Sequence, residues 1–238
     1  MALGPPWRVI GSGAVFAIGA SVIDTAQLVQ FLFFMIVFLF SLSVHEAAHA
    51  KTAEWFGDPT ARYLGRVTLN PIAHIDVVGT LIFPAIAFFS GGLLFGWAKP
   101  VPWNPLHVKD RRKADIWISA AGPISNLLLL AVFLLGVKGL QSYEMGGGVI
   151  VGTVLEPLWR MCLLGAFLNT ALAVFNMIPI PPLDGSWILP HFLPSGLADA
   201  YHQIRPYGFL ILFVCLYLGV LGGVLRPFMQ IVHWIIAA

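Results

Sequence analysis

The chain has 238 residues, of which 58% are hydrophobic and only 10% are charged. Soluble domains carry about a quarter charged residues, so this composition excludes an ordinary water-soluble domain. The formal net charge of +2 is too small to favour a nucleic-acid surface, and we expect no nucleic-acid partner. The sequence therefore predicts an integral membrane protein whose main surroundings are the lipid bilayer.

Six apolar segments follow one another, and several are long enough to cross a hydrocarbon layer about 30 Å thick as α-helices. They lie near residues 9–23, 26–56, 78–97, 115–138, 158–178 and 207–237. The first lacks a convincing cleavage site and is expected to be a retained membrane helix. The last contains Gly222, Gly223 and Pro227 and forms either one helix or two short ones. We predict an all-α polytopic membrane protein with about six transmembrane helices, in a single membrane-embedded domain over residues 1–238.

Residues 45–49 read HEAAH, late in the second apolar segment. Residues four apart lie on one helix face, so His45 and His49 can bind one metal ion. Glu46 lies beside them, where its carboxylate can act as a general base toward water activated by the metal. Chance produces this pattern in roughly one chain in a hundred or fewer. Ionisable side chains at membrane depth tend to be functional, so the pattern predicts a zinc site that needs a third protein ligand.

The third ligand is expected where another apolar segment meets polar sequence. The stretch FNMIPIPPLDGSW places Asp184 just after the fifth segment, on proline-rich backbone that cannot continue a regular helix. Such backbone at membrane depth lies beside protein or a water-filled cavity, so Asp184 is well placed to reach a buried ion. Asn176, eight residues earlier, either donates to the oxygen of a tetrahedral intermediate or makes a helix-capping or interhelical hydrogen bond.

Together, HEAAH and NMIPIPPLDG resemble the motifs of the site-2 protease family of intramembrane zinc metalloproteases. Further matches are LNPIAHIDVVGT, GWAKPVPWNP and AGPISN, and the resemblance covers about residues 42–187. It implies that His45, His49 and Asp184 bind one zinc ion per chain and that Glu46 is the catalytic base. It also implies that Asn176 helps to hold the substrate or the oxyanion.

Asp184 has to lie at the same membrane depth as the two histidines. If the second segment crosses from outside to inside, three further crossings would leave Asp184 on the wrong side. The third segment contains Pro84, Gly91, Gly92 and Gly96, so we expect a re-entrant or extended segment near residues 78–105. Eight of the thirteen basic residues then face the cytoplasm. They are Lys51, Arg62, Arg66, Lys99, Lys109, Arg111, Arg112 and Lys113.

The stretch GWAKPVPWNP indicates how a substrate helix is held. An intact transmembrane helix hides its peptide bonds in backbone hydrogen bonds, so it must unwind, and an exposed edge strand could hold it extended. We therefore expect Trp97, Lys99, Pro100 and Val101 to contact substrate. Asn126 in AGPISN has two interpretations, contact with substrate or close helix packing.

The predicted function is an intramembrane zinc endopeptidase that cleaves transmembrane protein substrates, in a prokaryotic cytoplasmic membrane with the active site toward the cytoplasm. A regulatory membrane partner is compatible with the sequence. Two alternatives stay open, a membrane metal transporter and a catalytically silent membrane scaffold. A transporter builds its site from related repeats, which the sequence lacks, and has no need of Glu46. Retention of every motif residue argues against the scaffold.

Overall fold

The computed structural model describes residues 24–91 and 96–238, and within these ranges all regular secondary structure is helical. The α-helices there are α1 (Thr25–Trp55), α2 (Thr60–Tyr63), α3 (Phe83–Ser90), α4 (Arg111–Met145), α5 (Leu155–Asn176), α6 (Gly185–Ile188), α7 (Ser195–Ile204), α8 (Gly208–Tyr217) and α9 (Val220–Ala237). The helices α1, α4, α5 and α9 are long and apolar enough to cross a membrane. The predicted all-α membrane architecture is confirmed at this level.

The predicted count of about six spans is not confirmed, because four of the described helices meet the requirement. The predicted helix at 9–23 lies outside the described residues. The predicted segment at 78–97 forms a π-helix, Val77–Ile82, that leads directly into α3, and this helical stretch is too short for a full crossing. The last predicted segment divides at Gly219, whose φ of 72° is left-handed, into α8 and α9.

The centre of the fold is α4, which packs against both α1 and α5, while α9 packs on α5. Phe34, Phe38 and Leu42 of α1 form a buried apolar cluster that α3 and α5 cover. Between α4 and α5, Gly136 allows a close approach, since a Cβ there would lie 2.8 Å from the sulfur of Cys162. The three central helices are therefore held together by close packing of small and aromatic side chains.

Two helices of spanning length, α4 and α5, separate α1 from Asp184 along the chain. Because they form an antiparallel pair, the end of α1 and the segment after α5 lie at the same end of the helical group. Asp184 can therefore lie at the same depth as His45 and His49, as a metal site shared by the three residues requires. The predicted re-entrant path of residues 78–105 and the single domain over residues 1–238 stay predictions.

Candidate metal centre

His45 and His49 on α1 converge with Asp184, which directly precedes α6. The two histidine Nε2 atoms are 3.0 Å apart. Asp184 Oδ2 lies 3.2 Å from His45 Nε2 and 3.4 Å from His49 Nε2. One ligand atom from each residue lies within 4.8 Å of the other two, and no other group of three such residues occurs in the described ranges. The structure thus brings together the three residues that the sequence predicted as metal ligands.

The second ring nitrogen of each histidine is held by an acceptor on α4. His45 Nδ1 lies 2.6 Å from Asn126 Oδ1, and His49 Nδ1 lies 2.6 Å from the carbonyl oxygen of Ile118. A main-chain carbonyl accepts only, and the amide of Asn126 presents its oxygen, so both histidines carry their proton on Nδ1. Each Nε2 lone pair is then free and points toward the shared position, as in metal-binding histidines.

Asp184 Oδ2 is buried, and no group among residues 24–91 and 96–238 donates a hydrogen bond to it. This follows from the histidine tautomers, because neither Nε2 carries a proton to donate. A buried carboxylate oxygen without a donor or a cation is costly, and one cation between the three side chains satisfies all of them. Two imidazoles and a carboxylate are a frequent donor set of catalytic zinc sites, which keep a fourth position open. The residues present therefore fit zinc.

Asp184 is positioned by the residues on either side of it. Leu183 is buried in an apolar cluster with Leu212 and Leu221. A Cβ on Gly185 would lie 3.0 Å from the carbonyl oxygen of Ile178 and closer still to that of Met177. In the LDG sequence, the leucine is thus an anchoring side chain, the aspartate is the predicted metal ligand, and the glycine is a position that has no room for a side chain.

Gly122 is a site residue that sequence reasoning did not identify. A Cβ at this position of α4 would lie 2.5 Å from His45 Nε2 and even closer to His49 Nε2. Close helix packing was one of the two interpretations of AGPISN, and the structure shows that Gly122 packs against the pair of histidines. The Gly-Pro pair was visible in the sequence, but the sequence did not show against which residues Gly122 packs.

The two predicted catalytic side chains belong to different helices. Glu46 follows His45 on α1 and is 8% exposed. Asn176 is the last residue of α5, and its Nδ2 donates to the carbonyl oxygen of Leu172 at 2.9 Å. That hydrogen bond lies within its own helix, so the predicted contact of Asn176 with substrate or oxyanion stays a prediction.

Among the residues predicted to contact substrate, Asn126 has different surroundings from Lys99, Pro100 and Val101. Asn126 is fully buried and bonded to His45, a predicted metal ligand, and to Asn169. Lys99, Pro100 and Val101, in contrast, line a cavity of about 270 Å³ together with Leu64, Arg66 and Pro102. This geometry favours an orienting role for Asn126 over substrate contact.

The segment that follows the undescribed residues 92–95 is fixed by main-chain contacts. The N–H of Trp97 donates to the carbonyl oxygen of Gly79 at 3.1 Å, and the N–H of Lys99 donates to that of His74 at 2.9 Å. The indole of Trp97 packs over Gly79, where a Cβ would meet the ring. No residue of the segment 96–110 is assigned to a strand, so the predicted edge strand is an irregular segment held in place.

A comparison with known protein families shows to which family the chain belongs. Its residues 33–217 match the family described as Peptidase family M50. The chain belongs to this family. The site-2 protease resemblance of the sequence motifs is thereby confirmed, and the matched range includes all the predicted site residues.

Curated relatives of this M50 peptidase agree. The chain is 36% identical over 199 residues to the "Putative zinc metalloprotease YwhC" of Bacillus subtilis (strain 168), covering 83% of this chain and 86% of the relative. It is 32% identical over 223 residues to the "Putative zinc metalloprotease Rip2" of Mycolicibacterium smegmatis, covering 93% and 80%. Rip2 of Mycobacterium tuberculosis (strain H37Rv) is 27% identical over 227 residues. No solved structure matches the chain.

Proposed function

We propose that this M50 family member is a zinc endopeptidase that hydrolyses peptide bonds in or near transmembrane segments of membrane-protein substrates. The observation that carries the proposal is the convergence of Asp184 with His45 and His49, which lie beside Glu46 on a helix of membrane-spanning length. The zinc metalloprotease names of the relatives support both the metal and the reaction class.

The reaction uses few protein groups. When bound, zinc supplies a Lewis acid that polarises a peptide carbonyl and makes water nucleophilic near neutral pH. Glu46 takes the proton of the attacking water and passes it to the leaving amine. Asn176 keeps a second amide N–H, besides the one bonded to Leu172, for the oxygen that becomes negative. Because the nucleophile is water, no covalent acyl-enzyme forms.

The segment from Trp97 to Val101 is the proposed support for an unwound substrate. Arg66 Nη2 donates to the carbonyl oxygens of Lys99 and Pro100, at 2.7 and 2.8 Å. Thr80 Oγ1 donates to the carbonyl oxygen of Trp97 at 2.8 Å. These contacts hold the segment in place, and the adjacent cavity of about 270 Å³, which Arg66 and residues 99–102 line, offers space for a substrate.

Substrate pairing on this segment is tested at Val101. Val101→Pro removes a main-chain N–H, whereas Val101→Ala keeps it and shortens the side chain. We expect Val101→Pro to lose cleavage and Val101→Ala to retain it, with the same zinc content in both. Cleavage by Val101→Pro at the rate of Val101→Ala would contradict the pairing.

The proposed location of the protein rests on its apolar helices and on the distribution of its basic residues. The apolar helices and the family support an integral membrane protein. We propose that the end of α1 and the start of α4 face the cytoplasm of a prokaryotic cytoplasmic membrane, since most basic residues lie there. Residues 78–105 enter and leave the bilayer on that side, which keeps Asp184 at the depth of the histidines. A regulatory membrane partner is a further expectation of this proposal.

The experiment compares the wild type with Glu46→Gln, both purified in detergent. Zinc per chain is measured in each, and each is incubated with single-span membrane proteins whose helices are intact or interrupted by helix-breaking residues. We expect zinc in both, and cleavage, sensitive to a chelator, by the wild type alone. Zinc without cleavage in either favours the silent scaffold, and equal zinc flux through vesicles containing either protein favours the transporter.

A further inference from the structure

A chain of buried polar side chains leads away from the metal ligand His45. Asn126 on α4 faces His45 Nδ1 with its oxygen and donates from Nδ2 to Asn169 Oδ1 on α5, at 2.9 Å. Asn169 Nδ2 in turn donates to Ser41 Oγ at 2.9 Å. Asn126, Asn169 and Ser41 are each 0% exposed. Ser41 lies one turn before His45 on α1, so the chain of hydrogen bonds returns to the helix where it starts.

The direction of these hydrogen bonds is fixed by the protein backbone. The amide nitrogen of Asn169 also donates to the carbonyl oxygen of Gly165, at 2.9 Å. A carbonyl oxygen only accepts, so turning the Asn169 amide over would set two oxygens against each other. With Asn169 Oδ1 facing Asn126, the Asn126 amide must present its nitrogen to Asn169 and its oxygen to His45. Because these side chains are buried, each lost hydrogen bond would leave a polar group without a partner. The hydrogen bonds therefore stabilise one another.

We propose that Asn126, Asn169 and Ser41 form a positioning relay that keeps the proton of His45 on Nδ1 and its Nε2 toward the metal. The proposal rests on the zinc site of the proposed function. It assigns Asn126 to the support of a metal ligand and adds Asn169 and Ser41, which sequence reasoning did not identify. The relay also ties α4 and α5 to the turn of α1 that carries the two histidines.

The test uses substitutions in the relay together with neighbouring buried residues as controls. Asn126→Leu removes the oxygen that accepts the hydrogen bond of His45. Asn169→Leu keeps that oxygen but removes the hydrogen bond that Asn126 donates to Asn169. Thr170→Val and Ser125→Ala are the controls, because Thr170 and Ser125 are buried next to the relay residues and their hydroxyls donate to carbonyl oxygens of their own helices, those of Ala166 and Gly122. Zinc affinity is measured by competition with a chelator, and the ligand geometry by the visible absorption of the cobalt-substituted protein.

We expect Asn126→Leu to weaken zinc binding about 10- to 100-fold and to change the cobalt spectrum, as for other groups that orient metal-bound histidines. Asn169→Leu should change both in the same direction by a smaller factor. Asn126→Asp keeps an oxygen for His45 and should recover a large part of the lost affinity. Thr170→Val and Ser125→Ala should keep the wild-type affinity and spectrum.

Several results would overturn the relay. Wild-type affinity and spectrum in both leucine variants would show that His45 needs no such support. An equal loss in the relay variants and in the two controls would identify a packing defect instead. If Asn126→Leu does not fold, the pair Asn169→Leu and Asn126→Asp decides the matter on its own. Absence of zinc from the wild type would contradict the proposed function itself, which is a distinguishable outcome.

Discussion

His49 donates its Nδ1 proton to the main-chain carbonyl oxygen of Ile118, 2.6 Å away. Because this acceptor belongs to the backbone of α4, no side-chain substitution at position 118 removes it. The other histidine, His45, is bonded to the side chain of Asn126. The orientation of His49 therefore depends on the position of α4, whereas that of His45 depends also on the side chain at position 126.

Gly122→Ala should abolish zinc binding. The added Cβ would lie within 2.5 Å of His45 Nε2, and so it would push α4 away from His45 and His49, the proposed metal ligands. Gly139→Ala on the same helix is the matched control, because a Cβ there meets nothing within 4 Å. Zinc per chain, measured by atomic absorption after purification, should be lost in the first variant and kept in the second. A Gly122→Ala protein with its full zinc would contradict the close approach.

Asp184→Asn should lose most of its zinc and all cleavage. The amide is neutral and holds a divalent cation much more weakly than the carboxylate does. His202→Ala is the control, since His202 is exposed and lies outside the three-residue group. In the wild type, a chelator should stop cleavage and added zinc should restore it. Full zinc content in Asp184→Asn would require a different third ligand.

Protonation of the Asp58 carboxylate in acid should lower the stability of the protein. Its carboxylate is fully buried after the end of α1. Burial raises the pKa of Asp58, but hydrogen bonds from Thr60, His107 and Asn104 outweigh this effect and hold the pKa below its usual value. A lowered pKa means that the stabilisation is present above the unfolded-state value of about 3.9 and is lost as the pH falls through the folded-state value.

The measurement for Asp58 is the free energy of unfolding in detergent, from neutral pH down to about pH 3. Near neutral pH, Asp58→Asn should be less stable than the wild type by about 1–3 kcal/mol, because the new amide group sets a donor against another donor. This difference should shrink in acid. Asp199→Asn, at an exposed position, is the control. A difference between wild type and Asp58→Asn that is constant with pH would contradict the role of the charge.

Asp115 and His191 should be energetically coupled. Asp115 is 7% exposed on α4, and its Oδ2 lies 3.1 Å from Nε2 of His191, in the segment that follows Asp184. Arg112 also donates to the carbonyl oxygen of His191, at 2.8 Å. His191→Ala should cost about 1–3 kcal/mol of unfolding free energy, since it leaves a buried acceptor without its donor.

A double-mutant cycle measures this coupling. Asp115→Ala, His191→Ala and the double variant are compared by their free energies of unfolding, and we expect a coupling of about 0.5–3 kcal/mol. The exposed His202→Ala should change stability by no more than about 0.5 kcal/mol. Additive losses at the two positions would show that the contact contributes nothing of its own.

The long helices could be predicted from the sequence because lipid imposes a length and a composition on each of them. The predicted segments at 26–56, 115–138 and 158–178 correspond to α1, α4 and α5. The shorter segments could not be resolved in the same way. Gly219 divides the last of them through a left-handed φ, and hydropathy alone cannot show where backbone of this kind occurs.

By itself, the sequence determined the membrane class and predicted the group of His45, His49 and Asp184, which the structure brings close together. Each depends on a local property, namely the length of an apolar segment, the four-residue period of a helix, or a carboxylate on proline-rich backbone. Only the tertiary structure decided which residues surround them. The contacts of Gly122, Asn126, Asn169 and Ser41 join three helices that are distant in the chain. Such contacts depend on how helices pack against one another, and the spacing of residues along one chain does not specify that packing.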